Sequence, residues 1–289
     1  MKTILFPTDF SFNANRALEY AVEIASHTGA ALNLLHIYTP VVSKDNVYSS
    51  LITDEVADAT SEAKEKLKVI TDTIASDYPS VSCKTYIKVG DPVPEILNVS
   101  LEIEADLIIM GTLGASKISK MIFGSNTASI IEKSACPVLA VPAGCTFRIP
   151  ERILFATAFS FSDLKGLKKL ALIAEAFKTE IILGHVDISP DEDSDEATTS
   201  MENFHKEANA LTGYSRISYK VVNDHNVSMG LDKIIDESSI DLLALSTHKR
   251  TWFEKIYNPS LTMKISHHTF IPLLAFHNPA DEEKTGKDF

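Results

Sequence analysis

Short, uniformly apolar runs alternate with longer segments of helical period along the first half of the chain. Ile4 to Phe6, Leu32 to Ile37, Ser82 to Val89, Leu107 to Met110 and Val138 to Val141 are the runs, and each predicts a strand. The first, fourth and fifth are too continuously apolar for a hairpin with one wet face, which predicts buried parallel strands. Between them, Asn13 to Ser26 sets Ala17, Tyr20, Ala21 and Ile24 on one face, with Ser11 placed as N-cap. Thr53 to Ile74, Pro92 to Ile103 and Ser125 to Lys133 predict the remaining helices. Strand and helix in this alternation imply right-handed crossovers and a doubly wound, open, parallel α/β sheet of Rossmann-like type, covered by helices on both faces. A ligand of such a sheet sits at the carboxyl ends of the strands, where strand order reverses.

The pattern then repeats. Ile4 to Ser11 (ILFPTDFS) recurs as Ile153 to Ser160 (ILFATAFS), six of eight residues identical at an offset of 149. Leu34, His36 and Ile37 answer to Leu183, His185 and Val186, and Ala25 to Ala174. Asp106-Leu107 and Pro137 match Asp241-Leu242 and Pro272 at an offset of 135, so the second copy is 14 residues shorter between those anchors. The polar, aperiodic stretch Tyr38 to Thr53, with Pro40, is the expected place for most of that loss. The chain therefore reads as two tandem five-stranded domains, 1–146 and 147–280, with the boundary near Gly144 to Pro150 and a charged, flexible tail at 281–289. The last strand of each copy, Val138 to Val141 and Leu273 to Phe276, is an apolar edge that needs cover. Pairing of these two strands would make the chain a pseudo-two-fold pair, and leaves room for a homodimer of the whole chain.

Composition narrows the classes of function. Hydrophobic residues are 45% and charged residues 23%, values of a folded globular protein. Lys and Arg number 27 against 39 Asp and Glu, a net charge of −12, which argues against a nucleic-acid partner and a basic membrane anchor. Cys83, Cys136 and Cys145 lack metal-ligand spacing and imply no disulfide framework. With no signal-peptide core and no apolar run approaching about 20 residues, the expected location is the cytoplasm.

The chemistry concentrates in one segment. Three of the six glycines of the first copy, Gly111, Gly114 and Gly124, fall within 14 residues, between the strand ending at Met110 and the helix opening at Ser125. A strand end, a glycine-rich loop and a helix start are the parts of a phosphate cradle, because backbone N–H groups are unobstructed by Cβ and backed by the positive end of a helix. The loop between them carries Lys117 and Lys120 and no acid, so it is positive within an acidic chain.

At these residues the sequence resembles the universal stress protein family, whose nucleotide-binding members carry Gly-x2-Gly-x9-Gly-(Ser/Thr). Gly111-x2-Gly114-x9-Gly124-Ser125 fits that spacing, and Pro7-Thr8-Asp9, His36-Ile37, Gly90-Asp91-Pro92 and Cys136-Pro137-Val138 extend the likeness over the chain as a tandem pair. The resemblance implies an adenine-nucleotide alpha hydrolase-like fold and an ATP (or ADP or AMP) site with Mg in the first copy. Asp9 and Ile37 would meet the adenine, and Pro7 and Thr8 would line its pocket. Met110, Gly111, Leu113, Gly114, Gly124, Ser125, Asn126 and Thr127 would surround ribose and phosphates. Asn126 departs from the small apolar residue expected at its position. In the second copy Gly111, Gly114 and Gly124 become Ser246, Lys249 and Pro259, and Asp9 becomes Ala158, with Ser260 surviving opposite Ser125. Added side chains and a lost N–H there predict no ATP binding of the same kind.

Blander readings cover the remaining candidates. His36 and His185 read as partly buried, satisfied histidines rather than catalytic bases. His225, His248, His267, His268 and His277 lack the i, i+4 spacing of a metal site. Cys136 reads as a small buried residue, and the acidic run Asp191 to Glu196 as a solvated loop and helix start. No catalytic constellation is evident: there is no G-x-S-x-G elbow and no P-loop G-K-[ST]. The expectation is an ATP-binding cytoplasmic regulator of the stress response with at most slow hydrolysis. The alternatives are a nucleotide-independent interaction module and a small-molecule binder through the degenerate second cavity.

Overall fold

The structure, a computed structural model, describes residues 1–40, 49–112, 124–188, 194–247 and 271–277. In chain order the first half contains β1 (Thr3–Pro7), α1 (Phe12–Thr28), β2 (Ala31–Tyr38), α2 (Ser49–Asp77), β3 (Cys83–Val89), α3 (Pro92–Glu102), β4 (Leu107–Gly111), α4 (Ser125–Lys133) and β5 (Val138–Val141). The second half contains β6 (Arg152–Ala156), α5 (Phe161–Phe177), β7 (Glu180–Asp187), α6 (Ser194–Thr212), β8 (Ile217–Asn223), α7 (Val227–Ser238), β9 (Leu242–Thr247) and β10 (Leu273–His277). The predicted strands and helices of the first copy all appear, within a few residues at their ends.

The ten strands form one sheet in the order β3-β2-β1-β4-β5-β10-β9-β6-β7-β8. Each half is parallel internally and has the doubly wound order, its switch point lying between β1 and β4 or between β6 and β9. The halves join by one antiparallel ladder, Leu273 to Ala140, Leu274 to Leu139 and Ala275 to Val138, so the two apolar last strands cover each other. The alternation along each strand divides its side chains between two core layers. Ile4, Phe6, Leu32 and Leu34 pack with Ile153, Phe155, Leu167 and Leu170 under α1, α2, α5 and α6. Leu5, Leu35 and Ile108 pack with Ile130, Leu154 and Ile234 under α3, α4 and α7. Ala17, Tyr20, Ala21 and Ile24 form the buried stripe of α1, and the Ser11 side chain accepts from Ala14 N–H at 3.1 Å as its N-cap.

One expectation is corrected. The shortening of the second copy falls mainly within a helix rather than in the connection after Ile37: α2 has 29 residues and α6 has 19. Residues 53–62 of α2 are exposed or half-buried, and in the sequence Ile52 and Val56 stand among polar residues, which is why Tyr38 to Thr53 reads as a connection although the helix already starts at Ser49. Among the described residues, no helix is long and apolar enough to cross a membrane. The tail 281–289, Lys117, Lys120, His248, Lys249, Pro259, Ser260, His267 and His268 lie outside the described residues.

Candidate functional site

The segment after β1 is folded by its own side chains. Thr8 is buried, and its N–H donates to the Leu35 carbonyl at 2.8 Å, extending the ladder one residue past the strand. Its Oγ1 accepts from Phe10 N–H at 3.0 Å, and Asp9 Oδ1 accepts from Ser11 N–H at 3.0 Å. These local bonds hold Phe10 at φ 61°, a left-handed turn that hands the chain to α1. His36, at the end of β2, donates Nδ1–H to the Thr8 carbonyl at 2.9 Å and stacks on Phe10 with ring centroids 4.5 Å apart. A carbonyl only accepts, so Nδ1 carries a proton, and the contact makes His36 a strut under the turn.

The opposite wall comes from β4 and α4. Gly124 N–H donates to the Thr112 carbonyl at 2.5 Å, and Thr127 Oγ1 donates to the Gly111 carbonyl at 3.0 Å. Together they bring the start of α4 against the end of β4. Gly124 is the N-cap residue of α4 in extended conformation, with no side-chain cap bond and no acid in the first turn. Among the described residues no N-cap side chain takes the opening N–H groups of α4, unlike those of α1, α5 and α7, which have Ser11, Ser160 and Asn226.

Between these walls is a cavity of about 190 Å³ at the switch point. Pro7, Thr8, Asp9, Ile37, Met110, Gly111, Gly124, Ser125, Asn126 and Thr127 all line it. Of the nucleotide-site residues named from sequence, Leu113 and Gly114 lie outside the described residues. Sequence reasoning missed Ala14, Leu35, Pro92 and Ile96, which complete the lining. Pro92 was signalled by Gly90-Asp91-Pro92, whereas Ala14 and Ile96 look from sequence like ordinary helix core. Gly111 has a use beyond ligand access: a Cβ there would lie 3.1 Å from the Asn13 carbonyl oxygen, so its bareness lets α1 pack against β4.

The second half keeps the turn and loses the opening. Thr157, Phe159 and His185 repeat the arrangement, with Phe159 at φ 62° and His185 Nδ1 2.9 Å from the Thr157 carbonyl. At the position of Ala14, however, stands Asp163, 2% exposed. Its Oδ2 accepts from Thr157 Oγ1 at 2.9 Å, Ala158 N–H at 3.0 Å and Ser160 N–H at 3.1 Å, closing a capping box with Ser160. A buried carboxyl group thus takes the turn's donors where the first half has a methyl group. Ser246, opposite Gly111, is buried, and among the described residues its Oγ has no hydrogen-bond partner. Gly166 of α5 makes room for it, since a Cβ at Gly166 would lie 2.9 Å from that Oγ.

The other candidates that fall within the described residues do not line the cleft. Cys136 is half-buried, and burial pushes its thiol above the ordinary range. Among the described residues no group of acids, histidines and cysteines is arranged to hold a metal.

Two copies of a doubly wound domain, each with a turn of the same construction at its switch point, define a tandem Rossmann-like α/β protein. The chain belongs to the universal stress protein family, whose model matches residues 1–142 and again residues 150–277. A universal stress protein of Methanocaldococcus jannaschii is 32% identical over 152 residues, spanning 48% of this chain and 94% of the relative. Universal stress protein YxiE of Bacillus subtilis is 29% identical over 145 residues, spanning 48% and 97%. The crystal structure of a universal stress protein from Archaeoglobus fulgidus superposes with a TM-score of 0.73 at 20% identity, covering 94% of this chain and 97% of that one, and so shares the tandem fold.

Proposed function

We propose that the cleft of the amino-terminal half binds an adenine nucleotide, ATP with Mg²⁺, and that the protein is a cytoplasmic stress-response regulator whose occupancy alters its stability or choice of partner. The observation that carries this reading is the uncapped first turn of α4 facing the cavity, with Gly111 and Gly124 beside it. Unused N–H donors at a helix N-terminus suit a polyphosphate. Ser125, Asn126 and Thr127 would hold the phosphates, Asp9 and Ile37 would face the adenine, and Pro7, Thr8 and Met110 would line the walls. Leu113 and Gly114 belong to the same phosphate loop. Bound Mg²⁺ would offset the charge of the triphosphate and take its oxygens as ligands. No general base or positively charged finger is evident from the sequence, so hydrolysis is absent or slow.

Residues 1–146 would form this domain and residues 147–280 its structural partner, with 281–289 as a tail. The Asp163 capping box favours the partner role for the second half, because a buried carboxylate opposes an anionic ligand there. Calorimetry with Mg-ATP tests the reading: one nucleotide per chain is expected, and Gly114→Asp should abolish it. Absence of bound nucleotide after gentle purification together with no heat of binding overturns it, and product release at ordinary enzymatic turnover overturns the regulatory role.

A further inference from the structure

The seam between the halves carries a cavity at each of its ends, related by the pseudo-two-fold of the sheet. Tyr20, Ile24, Asp241 and Pro272 line one, and their repeat counterparts Lys169, Ile173, Asp106 and Pro137 line the other. Each measures about 290 Å³. Connectivity separates the two, because one segment joins the halves and it crosses only the first cavity. Cys145 of that segment is buried, with its thiol pushed up to about 11 by burial, and Phe147 is half-buried. The Phe147 ring meets Tyr20 edge-on at 5.1 Å and lies 6.3 Å from Phe177, while the Tyr20 hydroxyl donates to the Thr146 carbonyl at 3.2 Å. One cavity thus has an aromatic wall and a pinned roof. The other lacks that segment and has Lys169 in its lining where the first has Tyr20.

We propose that the roofed cavity is a second small-molecule site, for a neutral and mainly apolar molecule bearing one hydroxyl or carbonyl group. Protein interiors close-pack, and large side chains such as Tyr20, Leu170 and Phe177 surround this volume without filling it. Apolar walls with a few converging polar groups are the usual make-up of a ligand pocket. At about 30 Å³ per water-sized group the space holds about ten non-hydrogen atoms. The charged residues of its described lining are Arg148 and Asp241, of opposite sign. Asp241 Oδ2 already accepts from Glu151 N–H at 2.8 Å and Arg152 N–H at 3.0 Å. The rim therefore offers a donor and an acceptor without a net charge, which suits a polar neutral end better than an ion. Because walls and roof come from both halves and their connection, occupancy ties the halves together. This site is independent of the nucleotide cleft.

The test uses the full chain and 4-propylphenol, of about the right size. Calorimetry should show one molecule bound per chain and thermal unfolding should shift upward with ligand concentration. An anion of the same number of non-hydrogen atoms, 4-methylbenzoate, should bind at least tenfold more weakly. Phe147→Ala and Phe177→Ala should each weaken 4-propylphenol at least tenfold while keeping a cooperative unfolding transition, and Lys169→Ala in the open counterpart should leave the affinity unchanged. Absence of binding by the unaltered chain overturns the site, as does wild-type affinity in both phenylalanine variants or equal weakening by Lys169→Ala. Tighter binding of the benzoate overturns the ligand class.

Discussion

At the scale of single residues, the difference between the halves rests on a methyl group and a carboxylate. Ala14 and Asp163 occupy equivalent positions in the first turn of α1 and α5, yet Ala14 lines a cavity and Asp163 fills the corresponding turn. Ala14→Asp should therefore carry the second-half arrangement into the first. Thr8 Oγ1 and the Asp9 and Ser11 N–H groups are the counterparts of the donors that Asp163 uses, but Ser11 N–H already serves Asp9 Oδ1 and the new carboxylate would lie beside that of Asp9, so the variant should fold with a loss of about 1–3 kcal/mol. Nucleotide affinity should fall at least a hundredfold, because a carboxylate in the lining fills part of the cleft and adds negative charge against an anionic ligand. Unchanged Mg-ATP affinity in a calorimetric titration would rule out this explanation of the asymmetry. Most of the cleft was legible in sequence because glycine spacing, Pro7-Thr8-Asp9 and Ile37 lie at strand ends, which a doubly wound sheet must bring together. Asp163 was not, since within its own stretch it reads only as an acid in a helix first turn. Its role emerges when the repeat sets it against Ala14 and the turn's donors converge on it.

At the scale of elements, uniformly apolar strands bounded by glycine, proline and polar residues announce themselves, whereas the length of α2 does not. Its fully buried residues, Ala63, Leu67 and Ile74, begin at mid-helix, and the residues at 53–62 before them are exposed or only half-buried, so the period fades toward the amino-terminal end. The start of α4 makes the opposite point: its sequence marks it clearly, and what matters is the cap it lacks. Gly124 sits at φ −68°, ψ 158°, a conformation open to any N-cap residue. Gly124→Asp would place a carboxylate on the first-turn N–H groups and stabilise the helix by a few tenths of a kcal/mol. The same carboxylate would compete with phosphate for those donors. The expected outcome is a slightly raised unfolding temperature without ligand and at least a tenfold loss of Mg-ATP affinity. If both stability and affinity rise, the N–H groups of α4 are not the phosphate donors.

At the scale of the whole molecule, fusion of the copies explains how they came to differ. An isologous dimer of one domain carries two identical sites, because the same sequence makes both halves. Joined by one short segment, the second copy is held at high effective concentration and need not keep a cleft in order to keep its edge. The seam is where this dependence is greatest. Val138 to Val141 are all buried against β4 and β10, and both core layers run across the junction. Residues 1–146 expressed alone would expose β5 as an unpaired apolar edge. Two such fragments can satisfy it by repeating the antiparallel ladder with a second copy of β5 in place of β10. Light scattering on the eluting fragment should then report a dimer, and adding residues 147–280 should convert it to a one-to-one pair, since β10 is the strand that β5 meets in the intact chain. A fragment that stays a well-folded monomer at high micromolar concentration, or that ignores the second half, would mean that the seam is held by the connecting segment rather than by strand pairing.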